Sequence, residues 1–198
     1  MPPPPELKVV LLGDNCVGKT CLAHRFVTDT FISPSESETT IGAVSVSKEV
    51  RVSNKKIKLG VWDTAGDERY DAMTKFYYRG ANASEKKKKK KTSEKVKYWI
   101  NELKSVEEGC SIYVCALKKD LLRFTERDMV RHLEHMENYA DEVPAKFYIT
   151  SSKTGQNVAE LFQAIAETCV PTVKNPHTQK LSDQFDTLSL DNKNPCYV

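Results

Sequence analysis

The stretch Gly13-Asp14-Asn15-Cys16-Val17-Gly18-Lys19-Thr20 decides the fold of this chain. It follows a short apolar run, Leu7–Leu12, that is typical of a strand buried on both faces, and the next residues, Lys19–Val27, have a helical pattern. In a loop of this spacing, backbone N–H groups surround phosphate, the lysine reaches the phosphate oxygens and the threonine ligates Mg²⁺. An ordinary strand-to-helix turn is the alternative. The position between a buried strand and a helix favours phosphate binding.

Strands and helices alternate along the rest of the chain. The predicted strands are Ala43–Val52, Lys56–Asp63, Ser111–Leu117 and Lys146–Ile149, and the predicted helices are Glu94–Glu107, Glu126–Glu142 and Val158–Val170. A polar turn at Ser53-Asn54-Lys55 joins the first two of these strands into a hairpin. This alternation predicts an α/β fold.

The chain divides into three parts. Residues 1–6 are a proline-rich leader, residues 7–170 have the size of one domain, and residues 171–198 are predicted to be a flexible tail because Pro, Asn, Ser, Thr and Asp dominate there without a period. The longest apolar run, Val9–Leu12, is too short to cross a bilayer. The leader also lacks the basic and apolar regions of a secretion signal, so we expect a cytoplasmic protein.

The charge argues against nucleic-acid binding. Net charge is +3, but Lys86–Lys91 contributes six positive charges in one block. The rest of the chain has 24 Lys and Arg against 27 Asp and Glu, which is a net charge of −3. No basic stripe with interleaved aromatic residues occurs outside this block. The six cysteines form no C-x-x-C pair and have no His at metal-ligand spacing, which predicts reduced thiols.

Three further stretches follow in an order that suits phosphate chemistry. Thr40-Ile41-Gly42 offers a second hydroxyl to Mg²⁺, and Asp63-Thr64-Ala65-Gly66 ends a strand where an acidic residue can hold a metal-bound water. Thr150-Ser151-Ser152-Lys153 follows the last strand and is placed to form the wall of a base pocket. Each stretch alone is equally compatible with an ordinary loop. Together and in this order they indicate a nucleotide site.

These motifs resemble those of the Ras-like small GTPases, and the Rab branch in particular. The matching text is Thr40-Ile41-Gly42-Ala43, Lys58 to Gly66, Glu68-Arg69-Tyr70 and Tyr77 to Ala81. Glu107 to Cys110 and Ser151 to Gly155 look most like the atypical, autophagy-associated Rab. The resemblance covers about Leu7–Cys169, except for residues 82–93.

The resemblance implies a P-loop GTPase domain, a mostly parallel six-stranded sheet with flanking helices, that cycles between GDP and GTP. It implies switch segments near residues 30–42 and 65–80. Mg²⁺ is then held by Thr20, Thr40 and, through water, Asp63. Phe31 is expected to lie against guanine, with a core phenylalanine as the alternative. The implied nucleotide-binding residues are Asp14, Asn15, Cys16, Val17, Gly18, Lys19, Thr20, Cys21, Phe31, Thr40, Gly66, Lys118, Asp120, Ser151, Ser152 and Lys153.

Two residues of this site depart from the family pattern. Asp67 stands where the family has the catalytic glutamine that orients the attacking water, so we expect slow GTP hydrolysis. In the guanine-reading stretch, Leu117 replaces asparagine whereas Asp120 is kept. We therefore expect weaker nucleotide binding with an unchanged preference for guanine.

The implied partners are effectors, an exchange factor and an activating protein, bound through residues 30–46 and 62–80. Trp62 and Tyr77 belong to the effector surface, but Ser45 replaces the phenylalanine that usually accompanies them.

Membrane binding, at the cytoplasmic face of endomembranes, requires lipidation. Cys196 is third from the end rather than fourth, and no cysteine pair is present, so we expect inefficient prenylation and a mainly soluble chain.

The lysine block stands where the family places its apolar fourth strand. Six buried lysines would cost several kcal/mol per ion, against a total stability of about 5–15 kcal/mol. We favour the interpretation that this block departs from the natural chain; a solvated loop and a basic lipid- or nucleic-acid-binding insert are the alternatives. We expect residues 82–93 to be irregular. Two functional hypotheses follow. The first is a GTP-binding switch of membrane trafficking with poor intrinsic hydrolysis, and the second is a nucleotide-poor interaction protein or a family member that folds incompletely.

Overall fold

Strands and helices alternate along the part of the chain that the computed structural model describes, residues 4–33, 40–66, 92–106, 109–122, 127–169 and 196–197. The elements are β1 (Glu6–Leu11), α1 (Lys19–Thr28), β2 (Ala43–Val52), β3 (Lys55–Thr64), α2 (Thr92–Val106), β4 (Tyr113–Ala116), α3 (Arg127–Glu142), β5 (Lys146–Ile149), α4 (Val158–Cys169) and β6 (Cys196–Tyr197). The predicted α/β class is confirmed. Every predicted element is present, with its ends within two residues of the prediction.

The larger sheet has four strands in the order β2-β3-β1-β6. β1 lies parallel to β3, with Val9 opposite Val61, and β2 lies antiparallel to β3. The hairpin turn contains Ser53 and Asn54, whose φ angles of 46° and 66° are those of the two-residue turns that suit the twist of paired strands. The predicted hairpin and its polar turn are therefore confirmed.

The expected single six-stranded sheet is not what the described residues form. β4 and β5 make a separate, parallel two-stranded sheet. A strand joining β1 to β4 would be buried on both faces and would need apolar side chains. Lys86–Lys91 cannot supply them, and that block lies outside the described residues. Thr92 and Ser93, which we expected to be irregular, begin α2.

Both ends of the predicted domain extend into neighbouring segments. Glu6, assigned to the leader, begins β1, and the carbonyl of Pro5 accepts a hydrogen bond from Lys58 N at 2.9 Å. Cys196–Tyr197, assigned to the flexible tail, forms β6 and runs parallel to β1. Residue 170, at the end of the predicted domain, and the tail residues 171–195 and 198 lie outside the described residues. The flexible-tail prediction therefore does not hold for these two residues.

Apolar side chains on the two faces of β1 contact different helices. Val9 and Leu11 belong to a core cluster with α1 and α4, in which the rings of Phe26 and Phe162 stack with centroids 3.8 Å apart. Val10 faces the other way and packs with Leu103 of α2. Helices thus cover both faces of the sheet, which leaves the carboxyl ends of the strands as the place for a site.

Two smaller findings concern membrane spans and the cysteines. No helix in the described ranges is long and apolar enough to span a membrane. Cys16, Cys21, Cys110 and Cys115 are free thiols, whereas Cys169 is disulfide-bonded, so the expectation of six reduced thiols is wrong for Cys169.

Candidate functional site

The predicted site segments follow the carboxyl ends of four strands, which form the parallel pairs β1–β3 and β4–β5. The phosphate-binding loop, residues 13–20, follows β1, and Ala65 and Gly66 follow β3. Leu117 to Asp120 follow β4, and Thr150 to Lys153 follow β5. Carboxyl ends of parallel strands meet at one edge, so each parallel pair brings two of these segments together. The two pairs are joined by Lys118 Nζ, which donates to Cys16 O at 2.7 Å.

The phosphate-binding loop curves back on itself. Gly13, Cys16 and Gly18 have positive φ angles, of 150°, 58° and 112°. Asn15 N donates to Asp14 Oδ1 at 3.0 Å, and Cys16 N donates to Asn15 Oδ1 at 2.8 Å. Two backbone donors of the loop are thus satisfied by the loop's own side chains. Successive amides of such a loop point into a concave surface that suits an anion.

Lys19 points into this loop from the first turn of α1. Its Nζ donates to the carbonyl oxygens of Gly13 and Asp14, both at 2.9 Å. The residue is 8% exposed, and burial lowers the pKa of its ammonium group, although the negative charges of Asp63 and Asp14 oppose this effect. A buried ammonium group beside backbone amides is well placed to neutralise phosphate oxygens.

Three oxygen-bearing side chains, from α1, from the segment before β2 and from β3, converge next to Lys19. Thr20 Oγ1 donates to Asp63 Oδ2 at 2.7 Å, and Thr40 Oγ1 donates to the same oxygen at 3.2 Å. The two hydroxyl oxygens are 3.0 Å apart. The residues that the sequence predicts to hold Mg²⁺ are therefore in mutual contact.

The other carboxylate oxygen of this cluster, Asp63 Oδ1, is buried and has no hydrogen-bond partner. Burial raises the pKa of Asp63, against the effect of hydrogen bonds from Thr20 and Thr40 and of the charge of Lys19. Carboxylate and hydroxyl oxygens are hard ligands of the kind that Mg²⁺ prefers, so this oxygen set fits the ion. No cluster of three or more His, Cys, Asp or Glu suited to a metal occurs among the described residues.

The segment after β3 packs directly against the phosphate-binding loop. A Cβ placed on Gly66 would lie 2.5 Å from Asn15 N and from Asp14 O, which leaves no space for a side chain. Ala65 N donates to Gly42 O at 2.8 Å, and Thr64 Oγ1 donates to Leu11 O at 2.6 Å. These bonds hold the two predicted switch segments against the end of β1.

The segment after β4 reaches the same loop from the other side. Lys118 has a left-handed backbone with φ of 62°, and its Nζ donates to Cys16 O at 2.7 Å. Asp120 is exposed, and its Oδ1 accepts a hydrogen bond from Ser151 Oγ at 2.6 Å. Ser151 is buried and its Oγ also accepts from Thr154 N, so the serine fixes the orientation of the Asp120 carboxylate.

Leu117 occupies the position where the family has a polar residue. Its side chain packs against the main core cluster and lies near Gly18, where its Cδ1 would be 3.8 Å from an added Cβ. The side chain makes apolar contacts with the core and has no polar group for the loop.

The remaining predicted residues are found in different surroundings. Phe31 is 37% exposed and does not belong to the core, so the alternative of a core phenylalanine is wrong. Cys21 lies in the first turn of α1, and its Sγ donates to Ile32 O at 3.7 Å. Ser152 is buried and Lys153 is exposed. Asp67 and Tyr77 lie outside the described residues.

Two charged residues of the site are missing from the sequence-based prediction. Arg25 of α1 donates from Nε to Ser152 O at 2.6 Å and from Nη2 to Lys153 O at 2.7 Å, which joins α1 to the loop after β5. Lys95 of α2 forms an ion pair with Asp14. Neither residue belongs to a local motif, so no signal in the sequence identifies it.

Comparisons with known proteins agree with this geometry. The family model described as Ras family matches residues 8–170. The Ras-related protein Rab-24 of Dictyostelium discoideum is 41% identical over 165 residues, covering 82% of this chain and 80% of that protein. The GTP-binding protein ypt5 of Schizosaccharomyces pombe is 42% identical over 165 residues, with coverage of 81% and 76%. The Ras-related protein Rab-5A of Dictyostelium discoideum is 36% identical over 192 residues, with coverage of 96% and 92%.

Proposed function

Because the chain belongs to the Ras family of small GTPases, in its Rab branch, we propose that it is a GTP-binding switch of vesicle trafficking that hydrolyses GTP slowly. The observation that carries this proposal is the convergence of Thr20, Thr40 and Asp63 beside the buried Lys19. GTP binding and Rab membership are in the names of the relatives ypt5 and Rab-24. The likeness to the autophagy-associated Rab adds autophagy as the proposed process.

The chain's own residues supply what a nucleoside triphosphate requires. Lys19 Nζ, now bonded to two loop carbonyls, turns toward phosphate oxygens and neutralises their charge. Thr20 and Thr40 contribute hydroxyl oxygens to Mg²⁺, and Asp63 holds it through water. The ion, when bound, would offset the negative charge of the phosphate oxygens. Loss of the γ-phosphate then releases the segment around Thr40, which is the basis of the switch.

Guanine selection depends on Asp120. Its carboxylate is exposed and is oriented by Ser151, so it is available to accept from two N–H groups of guanine that adenine does not present in this pattern. Ser152 and Lys153 form the wall beside it, held by Arg25. Phe31, exposed beyond the end of α1, is available to cover the base.

Slow hydrolysis follows from Asp67. Positioning of the attacking water and electrostatic stabilisation supply most of the catalysis of phosphoryl transfer. A carboxylate cannot donate the hydrogen bond of an amide, and it repels the charge that develops on phosphate. Single-turnover hydrolysis by the wild type and by Asp67→Gln tests this step, with a faster variant as the expected result. Equal rates would remove Asp67 from the mechanism.

The proposed partner surface includes exposed apolar residues on the segment before β2 and on β2 itself. Ile41 is 75% exposed and Val44 is 51% exposed. Ser45 lies opposite Trp62 in the β2–β3 register. We assign effector, exchange-factor and activating-protein binding to residues 30–46 and 62–80. Action at the cytoplasmic face of endomembranes requires that the chain is lipidated.

Nucleotide content and affinity provide the decisive test. Freshly purified protein is expected to contain GDP or GTP, to prefer guanine to adenine nucleotides, and to lose affinity when Mg²⁺ is chelated. Lys19→Ala should abolish retention, whereas Lys97→Ala, which removes a lysine that lies over the ring of Tyr139, should retain it. Wild-type affinity of Lys19→Ala would show that the phosphate-binding loop is wrongly assigned.

A nucleotide-poor interaction protein is the second candidate. It is favoured by the apolar side chain of Leu117 in the base-reading segment and by the two loop amides that Asp14 and Asn15 already satisfy. Less than about a tenth of a mole of nucleotide per mole of purified protein, together with no binding of added GTP, would favour this candidate.

A further inference from the structure

Arg25 connects two segments of the site that are far apart in sequence. It lies in the last turn of α1, and its Nε donates to Ser152 O at 2.6 Å while its Nη2 donates to Lys153 O at 2.7 Å. Its Nη1 donates to Asp29 O at 2.6 Å. All of these acceptors are backbone carbonyls. The guanidinium group thus fastens the end of α1 to the loop after β5.

The loop that Arg25 holds is the one that orients Asp120. Ser151, which is buried, precedes Ser152 in this loop, and its Oγ donates to Asp120 Oδ1 at 2.6 Å. Asp120 is exposed, so its direction depends on hydrogen bonds of this kind rather than on packing. A carbonyl that is fixed on the residue next to Ser151 limits the movement of that serine. Arg25 therefore acts on the Asp120 carboxylate through Ser151.

The same side chain also closes the end of α1. Asp29 follows the helix with a left-handed φ of 58°, and its N–H donates to Arg25 O at 2.9 Å. Phe31, proposed above to cover the base, is two residues further along the chain. Arg25 thus fixes the segment that leads to Phe31 relative to the wall formed by Ser152 and Lys153. These two segments are the two sides of the proposed guanine site.

Arginine is the side chain that suits this geometry. A guanidinium group has N–H donors in a rigid, planar fork, and here each of its nitrogen atoms bonds to a different carbonyl. The ammonium group of lysine is a point charge on a flexible chain, and it cannot hold neighbouring carbonyls in a fixed arrangement. Hydrogen bonds from a charged donor are also stronger than neutral ones. Arg25→Lys should therefore keep the charge and lose the positioning.

We propose that Arg25 is a positioning residue for guanine recognition, which sets the preference for guanine by holding the loop of Ser151 so that Asp120 faces the base. This proposal rests on the proposed function, because it concerns the same nucleotide site. It assigns part of the base selectivity to a residue of α1 that lies outside the base-reading segments 117–120 and 150–153. Breaking the bonds of Arg25 then reduces this selectivity even with Asp120 in place.

Binding of GDP and of inosine diphosphate to the full chain tests this role. Hypoxanthine, the base of inosine, lacks the exocyclic amino group of guanine, from which Asp120 is expected to accept. Ribose and diphosphate are the same in both, so the ratio of the two dissociation constants reports the base site alone. Arg25→Ala and Arg25→Lys are compared with the wild type. Arg25→Lys keeps most of the side chain, so it tests the role even where Arg25→Ala loses stability.

Lys48→Ala is the matched control. Lys48 Nζ donates to Phe26 O at 2.7 Å, so this variant loosens the same end of α1 and leaves the bonds to the loop after β5 in place. Amide hydrogen exchange measures the order of that loop without nucleotide. Thr154 N donates to Ser151 Oγ at 3.2 Å and Gly155 N donates to Ser151 O at 2.8 Å, so both amides exchange slowly only while the loop is ordered.

The wild type is expected to bind GDP about tenfold or more tightly than inosine diphosphate, the effect of one hydrogen bond to a charged group. This preference should fall below about threefold in Arg25→Ala and decrease several-fold in Arg25→Lys. It should stay at the wild-type value in Lys48→Ala. The amides of Thr154 and Gly155 should exchange several-fold faster in both Arg25 variants and at the wild-type rate in Lys48→Ala.

Equal weakening of both nucleotides in the Arg25 variants, with the preference for GDP kept, would overturn the proposal and leave Arg25 as a structural contact only. Loss of the preference in Lys48→Ala to the same extent would also overturn it, as would unchanged amide exchange in both Arg25 variants. Equal binding of the two nucleotides by the wild type would overturn it while GTP binding stands. A wild type that binds neither nucleotide would overturn the proposed function as well.

Discussion

Lys95 Nζ on α2 forms an ion pair with Asp14 Oδ2 in the phosphate-binding loop, 81 positions away in sequence. The pair attaches the loop to a helix that, together with the loop, lines a cavity of about 440 Å³. It neutralises a carboxylate at the place where phosphate oxygens are expected to bind. This one contact therefore both joins α2 to the loop and neutralises one of the loop's negative charges.

Acid should weaken this contact in a predictable direction. Partial burial raises the pKa of Asp14, but the Lys95 ion pair and the hydrogen bond from Asn15 N outweigh it and hold that pKa below its usual 3.8. The pair's contribution to the free energy of unfolding is thus present above pH 3.8 and is lost as the pH falls through the lower folded-state pKa. Both groups are partly exposed, so we expect a contribution of at most about 1 kcal/mol.

Urea unfolding of Asp14→Asn, Lys95→Ala and the double variant measures this contribution. Each single variant should lower the unfolding midpoint at pH 7 and should have a smaller effect toward pH 3. The double variant should lose no more than one single variant, because both remove the same pair. Lys104→Ala, which removes an exposed lysine from the last turn of the same helix, controls for the loss of a lysine. Additive losses would show that Asp14 and Lys95 act separately.

Gly66 should tolerate no side chain. The Cβ of Gly66→Ala would lie 2.5 Å from backbone atoms of Asn15 and Asp14, so the phosphate-binding loop must shift. We expect a loss of about 1–3 kcal/mol in stability and at least a tenfold loss of nucleotide affinity. In the control Gly60→Ala, the closest contact is with Glu6 Oε1 at 2.9 Å, the end of a flexible side chain. Similar effects of the two substitutions would contradict the close approach of Gly66 to the loop.

The cysteines should differ strongly in their reaction with maleimide at neutral pH. Cys16 is exposed in the phosphate-binding loop, whereas burial raises the pKa of Cys115 to about 12, so that Cys115 has very little thiolate. We expect Cys16 to be labelled first and to be protected by GDP with Mg²⁺, and Cys115 to react only on unfolding. Peptide mass mapping with Cys16→Ser as the control assigns each label. Rapid labelling of Cys115 in the folded protein would be inconsistent with its raised pKa.

Local patterns explain which parts of the fold were predictable. The apolar run before Gly13 and the polar pair Ser53-Asn54 specify a strand end and a hairpin through neighbouring residues alone, and both are found where expected. The oxygen cluster of Thr20, Thr40 and Asp63 was also predictable, because each residue stands in a short motif that is evident from its own sequence.

The parts that were not predictable depend on distant contacts. Lys95 is one of many helix lysines until the fold places it beside Asp14, and Arg25 has no motif that directs it to Ser152 and Lys153. The pairing of Cys196–Tyr197 with β1 joins residues from opposite ends of the sequence. A stretch as short as Cys196–Tyr197, among polar residues, shows too little of the apolar alternation that predicts a strand.

Leu117 should lower the affinity for nucleotide, because its side chain has no polar group that could form a hydrogen bond at the site. It packs against the core and lies close to Gly18, where an asparagine amide would be in reach of the phosphate-binding loop. In Leu117→Asn we expect nucleotide affinity to rise about two- to tenfold, which corresponds to one hydrogen bond of about 0.5–1.5 kcal/mol. Stability without nucleotide should fall by about 1–3 kcal/mol, because a polar group replaces apolar packing.

Titration with a fluorescent GDP analogue and urea unfolding measure the two effects. Leu121→Asn is the matched control, since Leu121 is 65% exposed in the next turn and its replacement should change neither quantity. An unchanged or lower affinity of Leu117→Asn would mean that Leu117 does not limit nucleotide binding.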